Sequence, residues 1–183
     1  PMEEYKSVSY SQTTITELMI PSYSNFGGKI HGGVILSLMD KVAYVCAAKH
    51  ADAYCVTASI DKVDFLAPVE VGELVSLLAS VNYVGRSSMI IGIRVEAENI
   101  QTGAIKHCNS SYFTMVAKDK EGKNSPVPGL ILTNLKEVSR FQNGLKQIAM
   151  KKEKEYQRSI ATFGSIENIL SVNQYNVKVE LQQ

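Results

Sequence analysis

His31–His50 reads HGGVILSLMDKVAYVCAAKH, the one long segment of this chain that combines helical periodicity, a start signal and a charge in its middle. On a helical wheel Val34, Ile35, Leu38, Met39, Val42, Val45 and Cys46 share one broad arc, which Leu36, Ala43 and Ala47 widen past half the circumference, so the helix is expected to be mostly buried. Ser37, Asp40, Lys41, Tyr44 and Ala48 fill the remaining arc. Asp40 stands at the border of the apolar arc, beside Leu36 and Ala47, where an ionised carboxylate is costly without a charge partner or hydrogen bonds. That position makes Asp40 the first candidate for chemistry.

The segments on either side read as wrapping for this helix. Ser7–Pro21 is rich in Ser, Thr, Tyr and Ile and favours a strand, and the glycine-rich loop SYSNFGGKIHGG leads into the helix. After it, Tyr54–Phe65, Glu73–Val84, Ser88–Asn99 and Ala104–Val116 alternate or run apolar between turn signals, and Gly85, Arg86 and Ser87 read as the tip of a hairpin. One strand, one long helix and four consecutive antiparallel strands imply an α+β domain in which a twisted sheet curls round a single central helix. Lys118–Ser125 turns charged, and PVPG at Pro126–Gly129 is expected to stop regular structure. The reading therefore gives one domain over 4–118, with a linker and a C-terminal helical extension over 119–183. In the extension Asn134 and Glu137 resemble a capping box, and Leu135, Val138, Phe141, Leu145 and Ile148 recur at helical spacing. Ser159–Gln183 stays open between short strand and coil.

Composition narrows the function classes. Of 183 residues 45% are apolar and 20% charged, as in ordinary globular proteins, and 19 basic against 18 acidic residues give no global field for nucleic acid or an anionic membrane. The longest apolar segment is broken by Asp40 and Lys41, so neither a secretion signal nor a membrane span is expected. Cys46, Cys55 and Cys108 are odd in number and lack CxxC spacing, which argues against a disulfide framework or a zinc site and for a reducing, cytoplasmic setting.

Three phrases, NFGGKIHGGVILSLMD (Asn25–Asp40), TASIDKVDFLAPVEVGE (Thr57–Glu73) and VGRSSM (Val84–Met89), occur in an order that resembles the hot-dog-fold acyl-CoA thioesterases. The likeness is to the acyl-CoA hydrolase branch, with its brain-type and small bacterial enzymes, and covers roughly Tyr10–Val116. It implies a hot-dog fold and hydrolysis of acyl-CoA to free acid and coenzyme A. It also implies an assembly of homodimers, as a trimer of dimers, with each site shared between protomers. No metal and no organic cofactor is expected, coenzyme A being part of the substrate. By the family motif the catalytic residues are Asn25 and Asp40.

The chemistry says why such residues are wanted. Thioester hydrolysis develops negative charge on the carbonyl oxygen, and the first N–H groups of a helix, here at Gly32 and Gly33, are unpaired and carry the positive end of the dipole. A carboxylate must deprotonate water or attack the carbonyl itself, and Asp40 is the only acidic residue on the helix. Asn25 could orient the water or the thioester. Arg86, Ser87 and Ser88 offer a guanidinium and two hydroxyls to the phosphates of coenzyme A, with Lys62, Lys118, Lys120 and Lys123 as looser candidates. Each has a plainer reading: a structural carboxylate bonded to backbone or to Tyr44, a helix entry, a turn asparagine, a solvated hairpin tip. His31 reads as a cap, and His50 and His107 show no triad or metal pattern.

Gly33 and Asp40 are seven residues apart, roughly 10 Å along a helix axis, so one carbonyl does not easily meet both. Two such helices running antiparallel across a two-fold axis would complete each site in trans. Two other functions are weighed. An enoyl-CoA hydratase on this fold would need an Asp and His pair, and His50 stands about three turns from Asp40. A non-catalytic acyl-CoA sensor would bind the same ligand without releasing thiol.

Overall fold

The computed structural model describes residues 4–160, 171–172 and 174–177, and most of Ser159–Gln183, left open between strand and coil above, lies outside the described residues. The chain divides into two compact units, one through Gly144 and one from Leu145. The first contains β1 (Tyr5–Ser7), α1 (Val8–Ser11), β2 (Thr13–Leu18), a 3-10 turn at Pro21–Tyr23, α2 (Gly32–Ala51), β3 (Tyr54–Ile60), β4 (Leu74–Val84), β5 (Ser88–Glu98), β6 (Ile105–Lys118) and β7 (Gly129–Ile131). It ends with the first turns of α3 (Leu135–Ile160).

The central helix follows its sequence signals. His31 caps α2 by accepting the Gly33 N–H on Nδ1 at 3.0 Å, and Asp52 ends it in the left-handed region at φ 49°. Ile35, Leu38, Met39, Val42, Ala43, Cys46 and Ala47 are buried against Val75, Leu77, Ala79 and Val81 of β4, Ile91, Ile93 and Val95 of β5, and Phe113, Met115 and Ala117 of β6. Each large side chain so buried contributes about 1.5–3 kcal/mol before chain entropy is counted. Ser37, Asp40, Lys41 and Tyr44 stay exposed, the arc expected to be polar.

The sheet is antiparallel in the order β2-β4-β5-β6-β3, the hot-dog arrangement. β3 follows α2 in the chain yet pairs with β6 at the far edge, from Tyr54↔Lys118 to Ile60↔Phe113. Register shifts at Thr57/Ser59, Val81/Tyr83 and Val95/Glu96 bend the strands round the helix. β3 stops at Ile60 and not at Phe65. Beyond it the chain is tied to β6 by only two backbone bonds, Asp61 N–H to Tyr112 O and Leu66 N–H to Cys108 O, and then crosses towards the start of α2, where Ile30 N–H meets Val69 O.

Two expectations need correction. Ser7–Pro21 is not one strand but β1, the turn of α1 and β2, because the chain bends to bury Val8 and Ser11. Pro126–Gly129 does not end regular structure: it leads into β7, which pairs in parallel with β1, Tyr5↔Gly129 to Ser7↔Ile131. Three-residue strands have too few positions to show a period.

This small ladder sits over His50, whose side chain is fully buried. Nε2 donates to Pro128 O at 3.0 Å, and Nδ1 has no partner among the described residues. Lys6 Nζ donates to His50 O at 3.0 Å and pairs with Asp52. Burial lowers the imidazole pKa, the bond to Pro128 opposing it. The unfolded chain therefore takes up this proton first as pH falls below about 6.5, so the stability His50 gives is complete above that value and is lost below it. The melting temperature should fall between neutral and mildly acidic pH, and His50→Gln, which keeps a donor for Pro128, should flatten the fall. Equal slopes in the two proteins would exclude the imidazole as its source.

α3 starts as a cap, with Asn134 Oδ1 accepting Glu137 N–H at 3.0 Å, while the Glu137 carboxylate returns to Thr133 N–H at 2.7 Å, one residue before the cap. Phe141 packs on Tyr83 with ring centroids 5.0 Å apart, and Gly144 allows a close approach: a Cβ there would stand 2.8 Å from Tyr83 Cβ. In the second unit α3 runs on to Ile160 with Met150, Tyr156 and Ile160 exposed. Among the described residues no helix is long and apolar enough to cross a membrane.

Candidate active site

The carboxylate of Asp40 projects from the exposed face of α2, not from the half-buried border its place on the wheel suggests, and its partner is neither backbone nor Tyr44. Thr57 Oγ1 donates to Asp40 Oδ1 at 2.6 Å and also lies 3.4 Å from Met115 Sδ. Thr57 stands where β3 slips register against β6, and such a bulge re-aims the side chain it carries. The bond occupies one carboxylate oxygen and leaves Oδ2 without a bond among the described residues.

A second group of candidates gathers at the start of α2. Asn25 Oδ1 accepts the N–H groups of Gly27 at 2.9 Å and Lys29 at 3.2 Å, so the loop uses its oxygen and leaves the Nδ2 donors for a ligand. Gly33 N–H, expected as a carbonyl-oxygen donor, is taken by His31 Nδ1 at 3.0 Å, and Val34 N–H bonds His31 O at 2.9 Å. Gly32 N–H donates to none of the described residues. Phe65 covers Gly32: a Cβ built there would lie 3.3 Å from the ring.

Arg86 and Ser87 lie in the β4–β5 hairpin tip and Ser88 opens β5, the turn being closed by Gly85 N–H to Ser88 O at 2.8 Å. The Arg86 and Ser87 carbonyls accept from Val127 and Ala117, both at 2.9 Å. Arg86 lines a cavity of about 540 Å³ with Ala51 and Asp52, at the C-terminal end of α2. The 20 residues of α2 span roughly 30 Å, so within one protomer the hairpin tip and the Gly32 end lie at opposite ends of the helix. The structure thus joins Asp40 to Thr57, which sequence reasoning missed, and Asn25 to the helix entry, but does not bring the three groups together. Thr57 lay inside a quoted phrase, and its spacing from Asp40 carries no local signal.

Other nucleophiles and bases are engaged or inert. Burial pushes the Cys46 thiol up to about 12 and that of Cys55 to about 11, and all three cysteines are free and buried, so they stay protonated at neutral pH. His107 Nε2 lies 2.9 Å from Asn109 O and 2.8 Å from Ser110 Oγ. Lys62 pairs with Asp64 and Lys123 with Glu121, both at 2.9 Å, and Lys118 donates to Asn124 at 2.7 Å.

Residues 27–104, from the loop before α2 through β5, match the model of the Thioesterase superfamily. Protein VdlD of Helicobacter pylori is 44% identical over 134 residues, 73% of this chain and 76% of that protein. The uncharacterized acyl-CoA thioester hydrolase YkhA of Bacillus subtilis is 32% identical over 145 residues, 79% of this chain and 84% of its own length. The chain belongs to the thioesterase superfamily. An apo-hexameric acyl-CoA thioesterase superposes on this thioesterase with a TM-score of 0.78 at 34% identity, over 87% of this chain and 99% of that one. The acyl-CoA hydrolase of Staphylococcus aureus, in complex with butyryl coenzyme A, coenzyme A and coenzyme A disulfide, gives 0.78 at 29% identity, over 93% and 99%. That enzyme has also been solved with alanine in place of an asparagine, an aspartate and a threonine. Fifteen residues separate the first pair and seventeen the second, the same separations as Asn25, Asp40 and Thr57 have in this thioesterase.

Proposed function

We propose that this thioesterase hydrolyses acyl-CoA to a free carboxylic acid and coenzyme A, and that Asn25, Gly32, Asp40 and Thr57 carry the reaction. The observation that carries the reading is the Thr57–Asp40 bond of 2.6 Å on the exposed arc of an otherwise buried helix. Thr57 fixes the carboxylate rotamer and leaves Oδ2 as the base for water or as the nucleophile, the two roles a carboxylate has in this chemistry. Asn25 Nδ2 and Gly32 N–H supply donors for the carbonyl oxygen as it gains charge. The Arg86–Ser88 tip holds phosphate oxygens of coenzyme A. This route uses protein groups alone and calls for no cofactor.

The site is shared. Asp40 lies roughly 10 Å from the helix start and Arg86 at its far end, while β3 leaves an open edge beside Asp40's helix face. A second copy docked antiparallel there brings its own Gly32 and Asn25 to the first copy's Asp40, and the first copy's β3 gains an edge partner. The names of the hexameric relative and the coenzyme A complexes support a homodimer, assembled as a trimer of dimers, acting on acyl-CoA. Three buried free cysteines suit a cytoplasmic setting.

A panel of acyl-CoAs assayed with a thiol reagent tests the activity: released thiol is expected, and tight binding without release would identify a sensor. In the same assay Thr57→Val, which keeps the β-branch and removes the hydroxyl, should lower kcat about 10- to 100-fold, the worth of a hydrogen bond to a charged group. Thr57→Ser should recover most of it. Undiminished turnover in Thr57→Val would remove Thr57 from the machinery.

A further inference from the structure

Two backbone bonds tie the chain after β3 to β6, Asp61 N–H to Tyr112 O and Leu66 N–H to Cys108 O, both at 2.9 Å. Asn109 lies between these ties. Its side chain faces α2, because it shares the buried side of β6 with Ser111, Phe113, Met115 and Ala117 at every second position. On that face Ser111 Oγ donates to Asp61 O at 2.7 Å, and the residue opposite Asn109 on β5 is the fully buried Val95. Phe65, one residue before the second tie, lies against Gly32, where a Cβ would stand 3.3 Å from its ring. The segment that flanks Asn109 thus also touches the first residue of α2, whose N–H the proposed reaction uses.

Asn109 is 0% exposed, and neither its Nδ2 nor its Oδ1 has a hydrogen-bond partner among the described residues. Ser111, two residues along the same face, is paired; Asn109 is not. A side-chain amide carries two donors and an acceptor, and withdrawing it from water unpaired is destabilising. Leucine fills almost the same space without that penalty, so stability gives no reason for an amide at this position. A ligand that pairs with it does. A hydroxyl serves either side of an amide, accepting from Nδ2 or donating to Oδ1, whereas a methylene serves neither.

We propose that Asn109 selects the acyl group by binding a hydroxyl on its first few carbons, so that the preferred substrates are short hydroxyacyl-CoA thioesters. The inference rests on the hydrolysis proposed above and goes beyond it by naming the substrate class. With the carbonyl oxygen at Gly32 N–H, those carbons lie beside Phe65, at the segment that flanks Asn109. The test is steady-state thiol release by the full chain from 3-hydroxybutyryl-CoA and 4-hydroxybutyryl-CoA, each against butyryl-CoA, which lacks only the hydroxyl. At least one hydroxylated substrate should exceed butyryl-CoA in kcat/KM by about tenfold or more, the worth of a hydrogen bond to a group otherwise left unpaired. Asn109→Leu should erase that preference and raise the melting temperature, because the unpaired amide is gone. Equal kcat/KM for all three substrates in the wild-type protein, a comparison that needs no variant to fold, would overturn the assignment while leaving the hydrolysis standing. A preference that survives Asn109→Leu would overturn it too, marking the amide as structural. Thiol release from none of the three would overturn the hydrolysis itself, and this inference with it.

Discussion

Asp40→Asn is expected to lower turnover of acyl-CoA by about 10²-fold to 10⁴-fold, the usual worth of a positioned acid or base, while KM and melting temperature stay near those of the parent. The substitution is close to isosteric. Asparagine Oδ1 can still accept from Thr57 Oγ1, which now spans 2.6 Å to the carboxylate, so the helix face and the β3 bulge are retained. What disappears is the second carboxylate oxygen: an amide nitrogen takes no proton from water and attacks no carbonyl. Asn25→Ala should cost less, because Gly32 N–H remains as a carbonyl donor when the Asn25 amide is gone. Steady-state thiol release with a melting curve for each variant measures both effects. Retention of most activity in Asp40→Asn would return that carboxylate to a structural role.

Complementation should restore activity from two inactive chains. If Asn25 serves a carbonyl from one protomer and Asp40 from its partner, a heterodimer of Asn25→Ala and Asp40→Asn chains holds one site with both lesions and one with neither. Random pairing after dissociation makes heterodimers about half of all dimers, so roughly a quarter of the wild-type activity should return. Sites built within one chain would regain none. The geometry favours the first outcome because Asp40 and the helix start are separated by roughly 10 Å along α2, a gap that one thioester carbonyl does not bridge. Mass spectrometry of differently tagged chains establishes that heterodimers have formed. A mixture proven to contain them that stays at the level of its parents would exclude the trans arrangement.

Much of the fold is legible because long elements repeat their pattern often enough to be read. α2 is 20 residues long, and β4, β5 and β6 are 11, 11 and 14, so the periods of 3.6 and 2 show through several cycles. The exposed arc of Ser37, Asp40, Lys41 and Tyr44 was visible on the wheel for the same reason. β1 and β7 were not, since each has three residues and is stabilised by the other across more than a hundred positions of chain. The candidate site divides along the same line. Asn25, Gly32, Gly33 and Asp40 lie within one continuous phrase whose resemblance carries them, whereas Thr57 reaches Asp40 from a different element, β3, seventeen positions further along the chain.

By itself the sequence determined the central helix, its polar arc, the three long strands β4, β5 and β6 and the only carboxylate on α2, because each of these is a local or periodic property of residue types. Tertiary structure alone decided that β3 lies beside β6, that Thr57 holds Asp40, that His31 takes the Gly33 amide, and that Arg86 stands at the far end of α2 from Gly32. It also decided that Phe65, in the segment that flanks Asn109, touches Gly32. These are contacts between residues distant in the chain, and which of many chemically equivalent pairs forms is settled by how the sheet curls and where its bulges fall, which no local pattern encodes.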